Sequence, residues 1–270
     1  SFFIELSTSL LCSQGYLSFI IPLSAFASTQ MEPLQNLLKN EYYEIHCDFF
    51  SWRPSTVFED VNIPTTVFSA KRKNESHCRL TYYSSNIIRW RNSENPIPII
   101  HEVDSTKYLD LVPGYFPRFG NVIELSIIKK MALNENLGKA IRKAKPNEEE
   151  VFYRSSGGLY FKIVTDFSSG STQEVAITTG NARLNKVLVS ALSSNLFFWF
   201  YDCFADSRHL TSNNLQFFPF SISKLDSDIE EKLFDLCSKL MTDYKKNAEI
   251  KIRNYSGIGE MKLMTFYAKK

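Results

Sequence analysis

Phe2, Phe3, Leu6, Leu10 and Leu11 recur at the spacing of one helical face, and Gly15 follows where a C-cap is expected. The chain therefore opens on a predicted amphipathic helix. The continuous apolar run at residues 16–21, ended by Pro22, predicts a strand buried on both faces. Met31, Leu34, Leu37 and Leu38 mark a second inward-facing helix, and predicted strands at 43–49 and 63–70 enclose a polar link at 51–60. Helix, strand, helix, strand, loop, strand is an α/β order that begins abruptly, as if cut from a longer sheet. Basic Lys71-Arg72-Lys73 before polar Asn74-Glu75-Ser76 marks the expected domain boundary, dividing the chain into residues 1–73 and 74–270.

Beyond that boundary the pattern is more mixed. Residues 104–117 read as irregular, with a turn at Pro113-Gly114, and Val122, Ile123, Leu125, Ile127, Ile128 and Met131 make a helix. The charged stretch 134–150 reads as a solvated face, its basic cluster Lys139, Arg142, Lys143 and Lys145 notwithstanding. Phe152-Tyr153-Arg154 and the run 159–164 flank Ser155-Ser156-Gly157-Gly158, which predicts a hairpin. Leu184, Val187, Leu188, Ala191 and Leu192 form a helical stripe; Ser193-Ser194-Asn195 interrupts it before an aromatic segment at 196–204. Ser227-Asp228-Ile229-Glu230 reads as a capping box opening a helix with Ile229, Leu233, Leu236, Leu240 and Tyr244 on one side.

Composition narrows the chemistry. A net charge of +2 carries no global basic field, so any nucleic-acid face must be a local patch. Five cysteines, odd in number and without a CxxC pair, argue for reduced thiols of a cytoplasmic protein. His46-Cys47 and His77-Cys78 are adjacent pairs, which on a strand point to opposite faces, so no metal site is expected. The start of the chain has no basic run, carries Glu5 and breaks at Gln14-Gly15, so no export signal is expected. The apolar runs at 17–27 and 196–205 are too short to span a bilayer, and no membrane partner is expected.

The stretch 151–220 sets donors on an aromatic scaffold: Arg154, Lys162, Arg183, Lys186, Arg208 and His209. That pattern suits binding a polyanion better than performing chemistry. Upstream, Arg89 and Arg91 flank Trp90, an interleaving of cation and aromatic that can reach phosphate or sugar.

YRSSGGLYFKIVTDF, NKVLVSALSSNLFFWFYDCFADSRHL and FFPF resemble the specificity region of bacterial N6-adenine DNA methyltransferases of the single-chain, type IIG restriction–modification kind. The resemblance runs over essentially the whole chain. GYLSFIIPLSAFAS is similar to the last third of the methyltransferase domain, and STVFEDVNIPTTVFSAKR to the terminal hairpin of that fold. There the family sets an aromatic residue against the extruded base, and Phe58 is the matching position. RLTYYSSNIIRWR resembles the start of the target-recognition region, and GEMKLMTFYAKK a segment returning towards the methyltransferase domain. The resemblance implies an α/β fold: the C-terminal part of a Rossmann-like methyltransferase sheet, followed by an α+β DNA target-recognition domain.

It also implies S-adenosylmethionine as cofactor, bound mainly by residues upstream of this chain. The family's Gly-rich loop and its Asn-Pro-Pro-aromatic motif are not in this sequence. Asn95-Pro96-Ile97-Pro98 lacks the second adjacent proline and the aromatic, and Gly257-Ile258-Gly259 is expected to follow no strand. No catalytic residue is therefore expected here. The implied partners are double-stranded DNA and the N-terminal remainder of the methyltransferase or a separate catalytic subunit. The chain alone should bind DNA without catalysing. A non-catalytic specificity subunit is the alternative, though it would have no need of methyltransferase strands. Glu249-Ile250-Lys251, Glu260-Met261-Lys262 and Glu230-Glu231-Lys232 each fit half of a nuclease motif. Three matches in one Lys/Glu-containing tail are what chance gives, and the first is expected at a helix end without a matching strand.

Overall fold

The computed structural model describes residues 2–91, 99–156, 163–255, 257 and 259–266. Its first elements are α1 (Phe2–Leu10), β1 (Tyr16–Pro22), α2 (Glu32–Glu41), β2 (Tyr42–Phe50), β3 (Thr65–Arg72), β4 (Thr81–Ile88), β5 (Val103–Asp104) and α3 (Val122–Met131). The strands form one mixed sheet in the order β1-β3-β2-β4-β5. β3 runs antiparallel to both neighbours, β4 parallel to β2, and β5 antiparallel to β4. The chain is mixed α/β, as its pattern predicts. The boundary expected after Lys73 falls between β3 and β4, two strands of this one sheet. Compactness divides the chain into Ser1–Leu133 with Tyr201–Ser207, and Asn134–Phe200 with Arg208–Lys270.

The second unit holds β6 (Arg142–Lys143), β7 (Val151–Arg154), β8 (Val164–Thr165), β9 (Glu174–Thr178), α4 (Ala182–Leu192) and the first six residues of α5 (Asn195–Phe204). After them come α6 (Ser212–Gln216), α7 (Ser227–Asn247), β10 (Ala248–Tyr255) and β11 (Gly259–Phe266). An antiparallel sheet is ordered β6-β9-β7-β8, and β10 and β11 form a separate ribbon. The expected hairpin pairs Phe152 with Thr165 and Tyr153 with Val164; its Gly157-Gly158 turn lies outside the described residues, as does Asn95-Pro96-Ile97-Pro98.

Several apolar stripes do not coincide with the buried face of their element. In α1 the buried residues are Ile4 and Thr8, whereas Phe2, Phe3, Leu6 and Leu10 are exposed. Polar ties orient this helix. The Thr8 and Tyr42 hydroxyls lie 2.7 Å apart, and the Arg72 guanidinium donates to the carbonyls of Thr8 and Leu11 at the helix end. β1, expected to be covered on both faces, is an edge strand with Tyr16 and Ile20 exposed. α7 is capped by Asp226, whose carboxylate accepts from Asp228 N at 2.9 Å, one residue before the expected Ser227. It buries Cys237 and Met241, while Ile229 and Leu236 face solvent. Gly257 follows a strand after all, but in a hairpin turn to an antiparallel partner, which is not the strand-to-helix geometry of a cofactor loop.

The irregular stretch before α3 is deeply buried, so each of its backbone groups needs a partner. Phe116 N donates to Phe26 O at 2.8 Å, Tyr82 Oη donates to Pro117 O at 2.8 Å, and Phe119 N donates to Ser84 Oγ at 3.0 Å. Gly114 takes φ +80°, and a Cβ there would stand 2.9 Å from the Thr29 backbone. Gln35, buried on α2, donates to Ala25 O and Gly114 O at 3.1 and 3.0 Å.

Arg118, only 1 % exposed, completes this arrangement. Its Nε and one terminal nitrogen donate to Asp202 O at 3.0 and 2.7 Å, and that nitrogen also donates to Ala205 O. Burial lowers its pKa from the usual arginine value, with Cys203 and Asp202 opposing. Replacing Arg118 by Met should keep much of the packing volume and strand those carbonyls, at about 1–3 kcal/mol each. A loss of about 3 kcal/mol, with the urea m-value unchanged, is the expected result of equilibrium unfolding. A midpoint equal to that of the wild type would contradict this role.

Candidate functional site

β2 and β3 pair from Tyr42↔Arg72 to Phe50↔Thr65, which leaves residues 51–64 as the hairpin loop. Its ends are tied down: Ser51 N donates to Ile88 O at 3.0 Å, and Leu23 N donates to Pro64 O at 2.8 Å. Midway, Val57 packs into a satellite core of Phe50, Ile88 and Trp90, with Val67 and Ile100 beside it. Phe50 and Trp90 meet edge to face with centroids 5.9 Å apart. The next residue, Phe58, turns outward and is 45 % exposed, with Val61 and Ile63 exposed after it. Thr56 Oγ1 donates to Phe58 O at 2.6 Å and Val61 N donates to the same carbonyl at 3.3 Å, closing the crest of the loop. One side chain anchors the loop and its neighbour presents a ring to solvent.

Strand alternation puts Glu44, His46, Asp48 and Phe50 on one face of β2, next to this loop. His46 Nδ1 lies 2.6 Å from Glu102 Oε2, its Nε2 lies 3.5 Å from Glu44, and its ring stacks on Tyr83 at 4.7 Å. Cys47 is buried on the opposite face, and His77 stacks against Tyr43 with centroids 4.9 Å apart. Among the described residues no three His, Cys, Asp or Glu side chains form a set that could hold a metal ion. Asp48 is raised to a pKa of about 6, first by desolvation and then by the negative charge and hydrogen bond of Glu102, with His46 opposing. Its Oδ1 is buried without a hydrogen-bond partner among the described residues.

The basic residues separate into groups. In the first unit Arg89 spends its guanidinium on Asp202, at 2.8 and 3.0 Å from the two carboxylate oxygens; Arg91 is exposed, and Trp90 between them is core. In the second unit Leu210 N donates to Ser155 O at 2.9 Å. That bond draws the exposed pair Arg208 and His209 to the end of β7, where Arg154 is half-buried with its Nε unpartnered among the described residues. Arg183 is instead bound to Glu230 at 2.6 Å and to Glu231, and both it and Lys186 lie over the Phe234 ring, at 4.8 and 5.1 Å. These two cations fasten α4 to α7. Lys162 lies outside the described residues.

Sequence reasoning missed the buried Arg118, which no periodicity marks. It also missed the paired strands of the tail, although the alternation in Glu249-Ile250-Lys251-Ile252-Arg253 is a strand signal. The first nuclease-like triplet thus lies on a strand, contrary to expectation.

No family model matches the chain, and no curated protein matches it. Among solved structures, the type IIG restriction endonuclease BpuSI is similar to it at 12% sequence identity with a TM-score of 0.33. The match covers 88% of this chain and 43% of that one, so the chain spans less than half of BpuSI's length. Among the described residues no single helix is long and apolar enough to cross a membrane; α4 and α5 together have the length and apolar composition of a span but are bent by 65°.

The pKa of Asp48 gives a pH signature. A carboxyl raised to about 6 in the folded state, from an ordinary value near 4, contributes stability that is complete below about pH 4 and lost as pH rises through 6. Asp48→Asn keeps a neutral side chain at every pH. Its stability relative to wild type should be near zero or unfavourable at pH 4.5 and shift in its favour at pH 7.5. Urea midpoints at the two values test this, and the same difference at both would refute it.

Proposed function

We propose that this chain supplies the target-binding and base-stacking portion of a site-specific DNA adenine-N6 methyltransferase of the restriction–modification kind. The placement of Phe58 carries the reading. Methylation of an adenine amino group inside a duplex requires the base to leave the stack, and a ring at the receiving site recovers part of the lost stacking. Phe58 offers a half-exposed ring on a loop held at both ends and anchored at Val57. A strand, a helix and an antiparallel hairpin in one sheet, in the order expected for the end of a methyltransferase domain, support the same reading. Arg154, Arg208 and His209 then supply donors for DNA phosphates in the second unit.

The residues present do not fit S-adenosylmethionine. β1 leads through Pro22 into the tight turn Leu23–Ala25 and not into a glycine loop, and no Asn-Pro-Pro-aromatic motif occurs. Cofactor binding and proton acceptance from the adenine amino group would belong to the N-terminal remainder of the enzyme or to a separate catalytic subunit. Methyl transfer would take place there, with Phe58 holding the base.

In an enzyme assembled with its catalytic portion, Phe58→Ala should lower turnover about tenfold or more, the equivalent of about 1.4 kcal/mol. Phe58→Trp should keep most activity, because stacking asks for a π-face and not for one particular ring. Neither should shift the melting temperature as a core change of about 3–5 kcal/mol does. Loss of the fold in Phe58→Ala, with 2-aminopurine fluorescence at the target position unaltered in the surviving protein, would make the ring packing alone.

Binding to duplex DNA should weaken with salt, with a slope of about −0.9 per phosphate contacted. Arg208→Ala should weaken binding and reduce the slope by about one if it meets a phosphate, or relax specificity if it reads a base. Arg183→Ala should do neither, because Glu230 and Glu231 already hold that guanidinium. Fluorescence anisotropy over a salt series separates the two variants, and equal effects would remove the basis for grouping Arg208 with Arg154.

A further inference from the structure

Asp48 lies beside the apolar anchor of the Phe58 loop. It shares one face of β2 with His46 and Phe50, and its cross-strand partner on β3 is Val67. Phe50 forms the satellite core with Ile88 and Trp90, and Val57, Val67 and Ile100 pack against it. The segment leading into β5 is therefore held to β2 at two points. Ile100 is one. Glu102 is the other: its Oε2 lies 2.6 Å from His46 Nδ1, and its carboxylate shares a hydrogen bond with Asp48. A bond between two carboxyl groups exists only while one of them carries a proton.

The charged groups around Asp48 are already committed. On β2, His46 meets Glu102 through one ring nitrogen and has Glu44 at 3.5 Å from the other. On β3, Lys71 stands opposite Glu44 with its ammonium over the Tyr16 and Tyr43 rings, at 5.0 and 5.7 Å. β4 contributes Tyr83, stacked on His46, and β5 contributes Asp104, which accepts from Thr106. In the loop, the Arg53 guanidinium lies over the Trp52 ring, and Glu59 and Asp60 are exposed. Asp48 Oδ1 is buried without a hydrogen-bond partner among the described residues. Ionising Asp48 thus turns a bond into a repulsion between two carboxylates beside an apolar core, which only an influx of water relieves.

We propose that Asp48 and Glu102 form a proton-operated latch on the Phe58 loop. With Asp48 protonated, the segment carrying Ile100 is clamped to β2 and Val57 is held fast. With Asp48 ionised, Glu102 is released, Ile100 lifts and the Val57 anchor loosens. The sign follows from the carboxyl being raised to about 6: the clamp is complete below about pH 4 and lost as pH rises through 6. The latch is a property of the fold alone. Its consequence for base stacking, a Phe58 ring held more firmly at lower pH, rests on the reading given above.

The test uses the whole chain labelled with 5-fluorotryptophan, the Trp90 signal being assigned with Trp90→Phe. Trp90 is part of the satellite core, and the water-to-heavy-water isotope shift of its fluorine resonance reports solvent exposure there. In wild type that isotope shift should grow about twofold or more between pH 4.5 and 7.5, changing as the pH passes about 6, while that of Trp199 in α5 stays constant. Asp48→Asn, neutral at every pH, should hold the low-pH value throughout. Glu102→Gln removes the facing charge, so its midpoint should move down towards the ordinary aspartate value of about 4. A flat wild-type profile would show that the core does not open, and a transition that persists in Asp48→Asn belongs to another group; either overturns the latch. If Asp48→Asn fails to fold by circular dichroism, the Glu102→Gln midpoint decides, and an unmoved one refutes the proposal. None of these readings involves DNA, so the latch and the stacking role of Phe58 stand or fall separately.

Discussion

The first unit depends on one buried guanidinium. Arg118 reaches the carbonyls of Asp202 and Ala205 at the end of α5 and lies 5.5 Å from the centre of the Phe49 ring in β2. A helix C-terminus carries partial negative charge on unpaired carbonyls, so a cation there is favourable, and burial makes the pairing obligatory. The arrangement also explains why Tyr201–Ser207, far along the chain, belongs with the first unit. Arg118 N donates to Cys203 O at 3.1 Å, and Phe119 meets Phe204 edge to face at 6.0 Å, which locks the segment against the sheet.

With the sheet fixed, the hairpin loop inherits a defined position. Its register places Phe50 and Val67 where they can receive Val57, and this contact decides that Phe58 faces away. Residues 51–64 are held by bonds at the loop ends and one apolar anchor near the crest, which leaves one face of the Phe58 ring to solvent. His46, Asp48 and Glu102 are neighbours on the sheet beside this loop, and the raised pKa of Asp48 makes the charge there depend on pH.

In the second unit the basic residues divide their labour. Glutamates of α7 neutralise Arg183, and the Phe234 ring receives Arg183 and Lys186, so both serve packing between helices. Arg154, Arg208 and His209 are gathered by one backbone bond from Leu210 to Ser155.

The sequence by itself determined the local elements: the strand at 16–22, the hairpin strands around the polar link, the helices at 182–192 and 195–204, and the break between them at Ser193-Ser194. Those features follow from period and turn chemistry, which a few neighbouring residues suffice to set. Which face of an element is buried was decided only by tertiary structure. Phe2, Phe3, Leu6 and Leu10 form the better apolar stripe, yet α1 buries Ile4 and Thr8, because Tyr42 and Arg72, brought up by distant strands, bind its polar side. The partners of Arg183 and Arg118 were likewise hidden, since an ion pair or a capped carbonyl joins positions 47 and 84 residues apart in sequence. Chain spacing encodes the period of a helix; it does not encode which surface the rest of the fold will set against it.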